Sequence, residues 1–214
     1  MKNIDVCVIL CGGASKRLKN KGAESKIFLP FGDKSLIAYQ FEKMQEIFPK
    51  VFISCKENQR ESIKQSLLDC GLDSADFKKE KCDFEKIFIT EKEEVFAPIF
   101  GILSALQAVE CQKIFMISCD CPLVKPKTID ILCKNSKDYE ITCAKDSANI
   151  HYLVGVWSKA MEQILREAIE NGDLKLENLQ KRASIKSIFF DRAEFLNINT
   201  KSDYKSALKT LVSG

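Results

Sequence analysis

An unbroken apolar and β-branched run, Val6-Cys-Val-Ile-Leu-Cys11, leads straight into a pair of glycines near the start of the chain. A strand can be apolar on both faces only when both are covered, so this segment predicts a central strand with helices above and below it. The pattern recurs in Val51-Phe-Ile-Ser-Cys55, Lys86-Ile-Phe-Ile-Thr90 and Lys113-Ile-Phe-Met-Ile-Ser118. Over 35–47, 60–70 and 99–109 apolar side chains recur at steps of three and four, the spacing of helices that bury one face. Strand followed by helix, repeated, predicts an α/β chain with a parallel sheet and right-handed crossovers. In such sheets ligands gather at the carboxyl ends of the strands, which is where chemistry is to be sought.

The second half is less regular. A helix is expected over 128–133, strands over 139–144 and 150–157, an amphipathic helix over 159–170, a late strand over 184–190 and a closing helix over 201–211. These predict a mixed edge to a mostly parallel sheet. No internal repeat, low-complexity tract or Pro- and Ser-rich linker divides the 214 residues, so 1–214 reads as a single domain.

Charge sets further limits. Both signs are interspersed and sum to only +3, which is not the balance of a chain that coats nucleic acid. No segment approaches the ~20 consecutive apolar residues of a membrane span. Of the ten cysteines, Cys7, Cys11, Cys55, Cys119, Cys121 and Cys143 lie in or beside apolar runs, and no CxxC pair occurs. They read as buried free thiols rather than as disulfides or zinc ligands, which together with the absence of a leader points to the cytoplasm.

Three features carry the chemistry. After the first strand, Gly12-Gly13 would let successive backbone N–H groups turn toward an anion that a Cβ would block. The same pair also suits an ordinary tight turn, and it is neither a GxGxxG fingerprint nor a Walker loop. Downstream, Arg17 and Lys26 are cations able to reach back over that loop and to offset phosphate charge, the first as a planar fork and the second as a point charge. After the fourth strand, Ile117-Ser-Cys-Asp120-Cys-Pro122 places one carboxylate at a strand end, which suffices for Mg²⁺ when substrate phosphates and water complete its shell. A turn or helix-cap aspartate would use the same position.

Taken in order, these residues resemble a known family. Leu10-Cys-Gly-Gly-Ala-Ser-Lys-Arg-Leu18 followed by Lys26 is similar to the L-x-G-G-x-S-x-R-M...K opening of nucleotidyltransferases, and most of all to the molybdenum cofactor guanylyltransferases. Pro98-Ile-Phe-Gly-Ile-Leu-Ser-Ala-Leu106 resembles that family's G-P-L-x-G-[IM]-L-x-A-L helix start. Ser118-Cys-Asp-Cys-Pro122 resembles its metal-binding C-D-x-P, and Asn197-Ile-Asn-Thr200 its late N-x-N-T-P-x-D. The resemblance implies a Rossmann-like three-layer sandwich of the nucleotide-diphospho-sugar transferase type. It also implies an Mg²⁺-dependent enzyme that moves GMP from GTP to molybdenum-bound molybdopterin and releases pyrophosphate, alongside other proteins of cofactor assembly.

By the same resemblance Leu10, Cys11, Gly12, Gly13, Lys26, Glu91 and Asp120 would hold the nucleotide, with Arg17, Lys26 and Asp120 acting in catalysis. Asp120 would bind the Mg²⁺, and Asn197 and Asn199 the acceptor. The chain departs from the pattern in four places. Lys19 follows Leu18 where a glycine is usual, and Gly22-Ala-Glu-Ser-Lys26 suggests an insertion before the lysine. Ala97 stands for the glycine before Pro98, and Lys201 for the proline after Thr200. Lys56 and Asn58 are only approximate counterparts of the family's base-side residues. His151, the only histidine, lies within Ile150-His-Tyr-Leu-Val154 and reads as a strand residue rather than a catalyst. The basic pair Lys181-Arg182 reads as a solvated helix end. Alternatives are a cytidylyl- or sugar-phosphate transferase, which Asn197-Ile-Asn-Thr200 argues against, and a non-catalytic nucleotide-binding module, which would not need Asp120.

Overall fold

Strand β1 (Val6–Leu10) is buried along its whole length, and its side chains divide between two cores. Cys7 and Ile9 enter one apolar cluster, whereas Val6, Val8 and Leu10 enter the other. This is the arrangement its unbroken apolar sequence requires. The computed structural model describes residues 4–12, 25–72, 84–91 and 97–213.

Among the described residues the main sheet has seven strands: β1, β4 (Lys50–Lys56), β5 (Phe88–Glu91), β6 (Lys113–Ser118), β7 (Ile141–Lys145), β8 (Ile150–Ser158) and β9 (Ile185–Phe189). Their order is β5-β4-β1-β6-β8-β7-β9. Strand β8 runs antiparallel to both β6 and β7, while β9 is again parallel to β7, so β8 alone is reversed. On one face pack α1 (Leu36–Gln45), α2 (Glu57–Asp69), α4 (Pro126–Lys134) and α6 (Lys201–Ser213), through Phe41, Leu67, Leu132 and Ala207 among others. On the other lie α3 (Pro98–Ala108) and α5 (Met161–Glu170), through Ile102, Leu106 and Leu165. This is the three-layer α/β fold with a mixed edge that the sequence predicts.

Some boundaries move. The expected strand over 86–90 begins only at Phe88, because Phe84–Ile87 forms a 3-10 turn and β5 pairs with β4 over just Ile53 to Lys56. Helix α2 starts directly after β4, where the Gln59 side chain accepts from the Lys56 N–H at 3.2 Å and closes its first turn. Periodicity does not predict the short hairpin of β2 (Pro30–Phe31) with β3 (Lys34–Ser35), which turns through Gly32 at φ +72°, a conformation that favours glycine. No helix among the described residues is long and apolar enough to cross a membrane. Every described cysteine is a free thiol, and the six singled out from the sequence are all buried.

From β1 the chain steps outward to β4 and β5, then returns to the other side of β1 as β6. The carboxyl ends of β1 and β6 therefore flank a switch point, where the loops diverge and leave a crevice. Across β7 and β8, Gly155 lies so close to its neighbour that a Cβ there would stand 2.3 Å from the Thr142 carbonyl oxygen and 2.8 Å from Cys143 Cα.

Candidate active site

Asp120 lies in the turn that follows β6, between two cysteines that point into the core and are almost fully buried. Cys119 N–H donates to the Leu10 carbonyl at 3.0 Å, and Cys121 N–H to that of Ser118 at 3.1 Å. With its neighbours turned inward, the Asp120 carboxylate is left at the rim. Its Oδ1 accepts from Ser118 Oγ at 2.5 Å and its Oδ2 from Lys26 Nζ at 2.5 Å.

Lys26 opens the 3-10 turn Lys26–Phe28, whose Ile27 is anchored in the core, and this anchor aims the lysine back over the strand ends. Besides Asp120, Lys26 Nζ donates to Asn199 Oδ1 at 2.9 Å. Its side chain is only 10% exposed, so the pair is worth more than a surface ion pair.

The segment 197–199 is stitched to the same turn. Ile198 is buried and its N–H donates to the Asp120 carbonyl at 2.9 Å, while Cys121 Sγ donates to Asn197 Oδ1 at 2.5 Å. Burial, with the Asp120 charge adding to it, pushes the Cys121 thiol well up, which keeps it a neutral donor. Behind the turn, Lys43 Nζ donates to the Pro122 carbonyl at 2.7 Å, and burial lowers its pKa to about 8. These supports from Cys121 and Lys43 have no signal in the sequence, because nothing in spacing reports a bond between residues so far apart.

Two departures from the family pattern turn out to be structurally neutral. Lys201 is the first residue of α6, a position where proline is favoured but not needed. The helix is still capped: Asp203 N–H donates to Thr200 Oγ1 at 3.2 Å, and Asp203 Oδ2 accepts from Thr200 N–H at 2.7 Å. Burial alone would raise the Asp203 pKa, but these bonds and the Lys26 charge lower it. Ala97 precedes α3 in extended backbone at φ −135° and ψ 139°, which any L-residue adopts, so glycine is not required there.

Gly12, Leu10, Ala97, Pro98 and Ser118 line a narrow recess at the N-terminal turn of α3, where the helix dipole favours an anion. Cys11 is buried, and its N–H donates to the Ser54 carbonyl at 2.8 Å. A cleft of about 370 Å³ opens from there past Ser118, Asp120 and Asn197 to His151, Lys175 and Glu177. Glu91 ends β5, two strands from β1 on the same carboxyl rim and in register with Lys56, and Asn58 is exposed in the first turn of α2. Gly13, Arg17 and the suggested insertion lie outside the described residues. The fold thus brings Leu10, Cys11, Gly12, Lys26, Asp120, Asn197 and Asn199 to one crevice and leaves Glu91 at its margin.

His151 lies in a strand, as expected, and its largely buried side chain also lines the cleft. Of the basic pair, Lys181 ends a 3-10 helix (Leu176–Lys181) and Arg182 forms an ion pair with Glu167 at 2.5 Å, which fits a solvated helix end.

Comparison with known proteins identifies the family of the fold. Residues 7–186 match the model of the MobA-like NTP transferase domain. The chain is 32% identical over 212 residues, 97% of this chain and 94% of the relative, to the molybdenum cofactor guanylyltransferase of Helicobacter pylori strain G27. To the enzyme of that name from Campylobacter jejuni strain 81116 it is 29% identical over 201 residues, 93% of each chain. A crystal structure of a protein from Aquifex aeolicus VF5 superposes with a TM-score of 0.72 at 26% identity, covering 94% of this chain and 96% of that one. The family match begins in β1 and reaches β9, so it takes in both strand ends that flank the crevice, and the chain belongs to the MobA-like nucleotidyltransferase family.

Proposed function

We propose that this protein transfers GMP from GTP to the terminal phosphate of molybdenum-bound molybdopterin, forming molybdopterin guanine dinucleotide and pyrophosphate. The observation that carries the reading is that Lys26 Nζ bonds both Asp120, which we assign to the nucleotide and metal, and Asn199, which we assign to the acceptor. Full-length likeness to enzymes named molybdenum cofactor guanylyltransferase favours guanylyl transfer over cytidylyl or sugar-phosphate transfer.

Asp120 is the residue that would hold Mg²⁺. It offers carboxylate oxygen donors in the turn that follows β6, at the edge of the cleft. That suits an ion that takes one or two carboxylates and fills its shell with phosphate oxygens and water. So held, Mg²⁺ supplies charge neutralisation on the phosphates. Lys26 then exchanges Asp120 for the α-phosphate oxygens and stabilises the charge that develops there, with Arg17 as a second cation. The backbone at Gly12 and Gly13 and the α3 N-terminus cradle the triphosphate. The acceptor phosphate is already anionic near neutral pH, so alignment by Asn197 and Asn199 takes the place of a strong general base. We assign the whole of 1–214 to one catalytic domain working in the reducing cytoplasm with other cofactor-assembly proteins.

The test is Mg²⁺-dependent pyrophosphate release from each common ribonucleoside triphosphate, with and without molybdenum-loaded molybdopterin. Release confined to GTP plus the pterin, and lost on chelation of the metal, is expected. Turnover of CTP or UTP with another acceptor would move the substrate, and silence throughout would reduce the chain to a binding module.

A further inference from the structure

His151 is held on two sides. Its Nε2 lies 3.0 Å from Asp146 Oδ2, and its ring stacks on Phe195 with centroids 4.5 Å apart and planes inclined by 19°. Asp146 follows β7 and its side chain is 2% exposed, and its Oδ1 accepts from the N–H groups of Ala148 and Asn149, each at 2.7 Å. Burial alone would raise the Asp146 pKa, but these two bonds and the one from His151 lower it to about 2. An ionised carboxylate at that distance accepts a hydrogen bond from Nε2–H, so Nδ1 carries a proton to donate only in the imidazolium. Nδ1 has no hydrogen-bond partner among the described residues.

One face of the ring packs on the core through Phe195, and the side chain also lines the 370 Å³ cleft that contains Asp120 and, with Asn197, a neighbouring cavity of about 450 Å³. The ring therefore forms part of the partition between them, beside the asparagine that is bonded to the Asp120 turn.

We propose that His151, oriented by Asp146, is an acceptor-side contact that donates from Nδ1 to an anionic phosphate monoester in the cleft. The charged groups around it are Asp146 beside the ring, Asp120, Lys175 and Glu177 lining the same cleft, and Arg192 in the neighbouring cavity. Asp146 and a bound anion carry charge opposite to that of an imidazolium, and Lys175 and Arg192 carry the same charge. This rests on the reading that the acceptor presents a phosphate, and the test separates the two.

Because the chain has one histidine, the untagged protein gives one imidazole signal, and its NMR titration needs no assignment. Inorganic phosphate is expected to raise its midpoint by about half a pH unit or more, an opposite charge at close range being worth up to several times that. Steady-state kinetics supply the second arm. His151→Gln keeps a donor toward Asp146 but loses the charge; it is expected to raise the KM for molybdopterin about tenfold, the loss of one charge-assisted hydrogen bond, and to leave the KM for GTP within twofold. Asp146→Asn is expected to raise the same KM less and to make it more sensitive to rising pH. A midpoint unmoved by phosphate together with an unchanged acceptor KM in His151→Gln would overturn the inference while leaving guanylyl transfer intact. A phosphate-sensitive midpoint in a protein that does not turn over molybdopterin would sustain the anion contact and remove the acceptor assignment instead.

Discussion

On the two sides of the cleft the sheet presents opposite ends of its strands. Strands β1 and β6 arrive with their carboxyl ends, so their polar groups stand on the turns that follow, at Gly12 and Asp120. Strand β8 is reversed, with Val154 in register with Ile117, so Ile150 to Tyr152 run past the end of β6 and line the cleft from within the strand. On the parallel side chemistry is carried by loops, which can be rearranged around a ligand. On the reversed side it is carried by a strand, where Ile150 and His151 are paired with Lys145 and Ala144 of β7 beyond a register shift at Cys143, so their backbone is held before a ligand arrives.

That contrast can be broken by substitution. Asp120→Asn is expected to lower turnover about 10²- to 10³-fold, the scale of one lost electrostatic partner of the transition state, with little change in the unfolding midpoint. An Asp120→Asn enzyme that turned over normally would remove the loop side from the chemistry. On the strand side the larger effect is on stability. Gly155→Ala drives a methyl into the Thr142 carbonyl and Cys143 Cα, backbone atoms that cannot step aside. It should cost about 3 kcal/mol and lower Tm by about 6–12 °C in thermal unfolding; an unchanged Tm would mean that β7 and β8 are not rigid partners.

Asp146→Asn sharpens the comparison by pH. The folded-state pKa of about 2 lies below the ordinary carboxylate value of 3.8, so the carboxylate contributes stability that is fully present above about pH 5 and is lost as pH falls toward 2. Wild type should exceed the variant by on the order of 2 kcal/mol in denaturant titrations at pH 7, and the gap should close near pH 2. A gap that persists at low pH would assign the difference to packing. The smallest effect belongs to Lys134→Gln on α4, which removes an exposed pair with Asp130 at 2.6 Å. It should change stability by no more than about 0.5 kcal/mol, and a larger shift would show that the helices bear more of the load than the sheet.

The same geometry explains what could be read from the sequence. The parallel half is legible because strands covered on both faces must be apolar throughout, and because their carboxyl ends are where ligands gather; Gly12, Lys26 and Asp120 follow from that logic. His151 escapes it for the converse reason. A search that looks after strands finds nothing on a strand whose beginning faces the cleft, and reversal of β8 is set by pairing rather than by local pattern. The Asp146 partner lies five residues before His151, yet Asp146-Ser-Ala-Asn149 reads equally as a plain turn. The hairpin at 30–35 is hidden because two-residue strands have no period, although Pro30-Phe-Gly-Asp33 carries the turn chemistry. Lys201 and Ala97 look like losses in a motif comparison but fall where a cap and an extended backbone already do the work of the absent proline and glycine.

The hydrogen bond from Lys26 to Asn199 spans 173 residues of sequence, whereas the last strand of the sheet is complete at Phe189. Since synthesis proceeds from the amino terminus and folding can follow it, a ribosome-bound chain can assemble its strands before Asn197 and Asn199 reach them. Until then Lys26 lacks its Asn199 partner, and the crevice lacks a wall. The residues that close the cleft are thus the last part of the site to be synthesised, after every strand of the sheet.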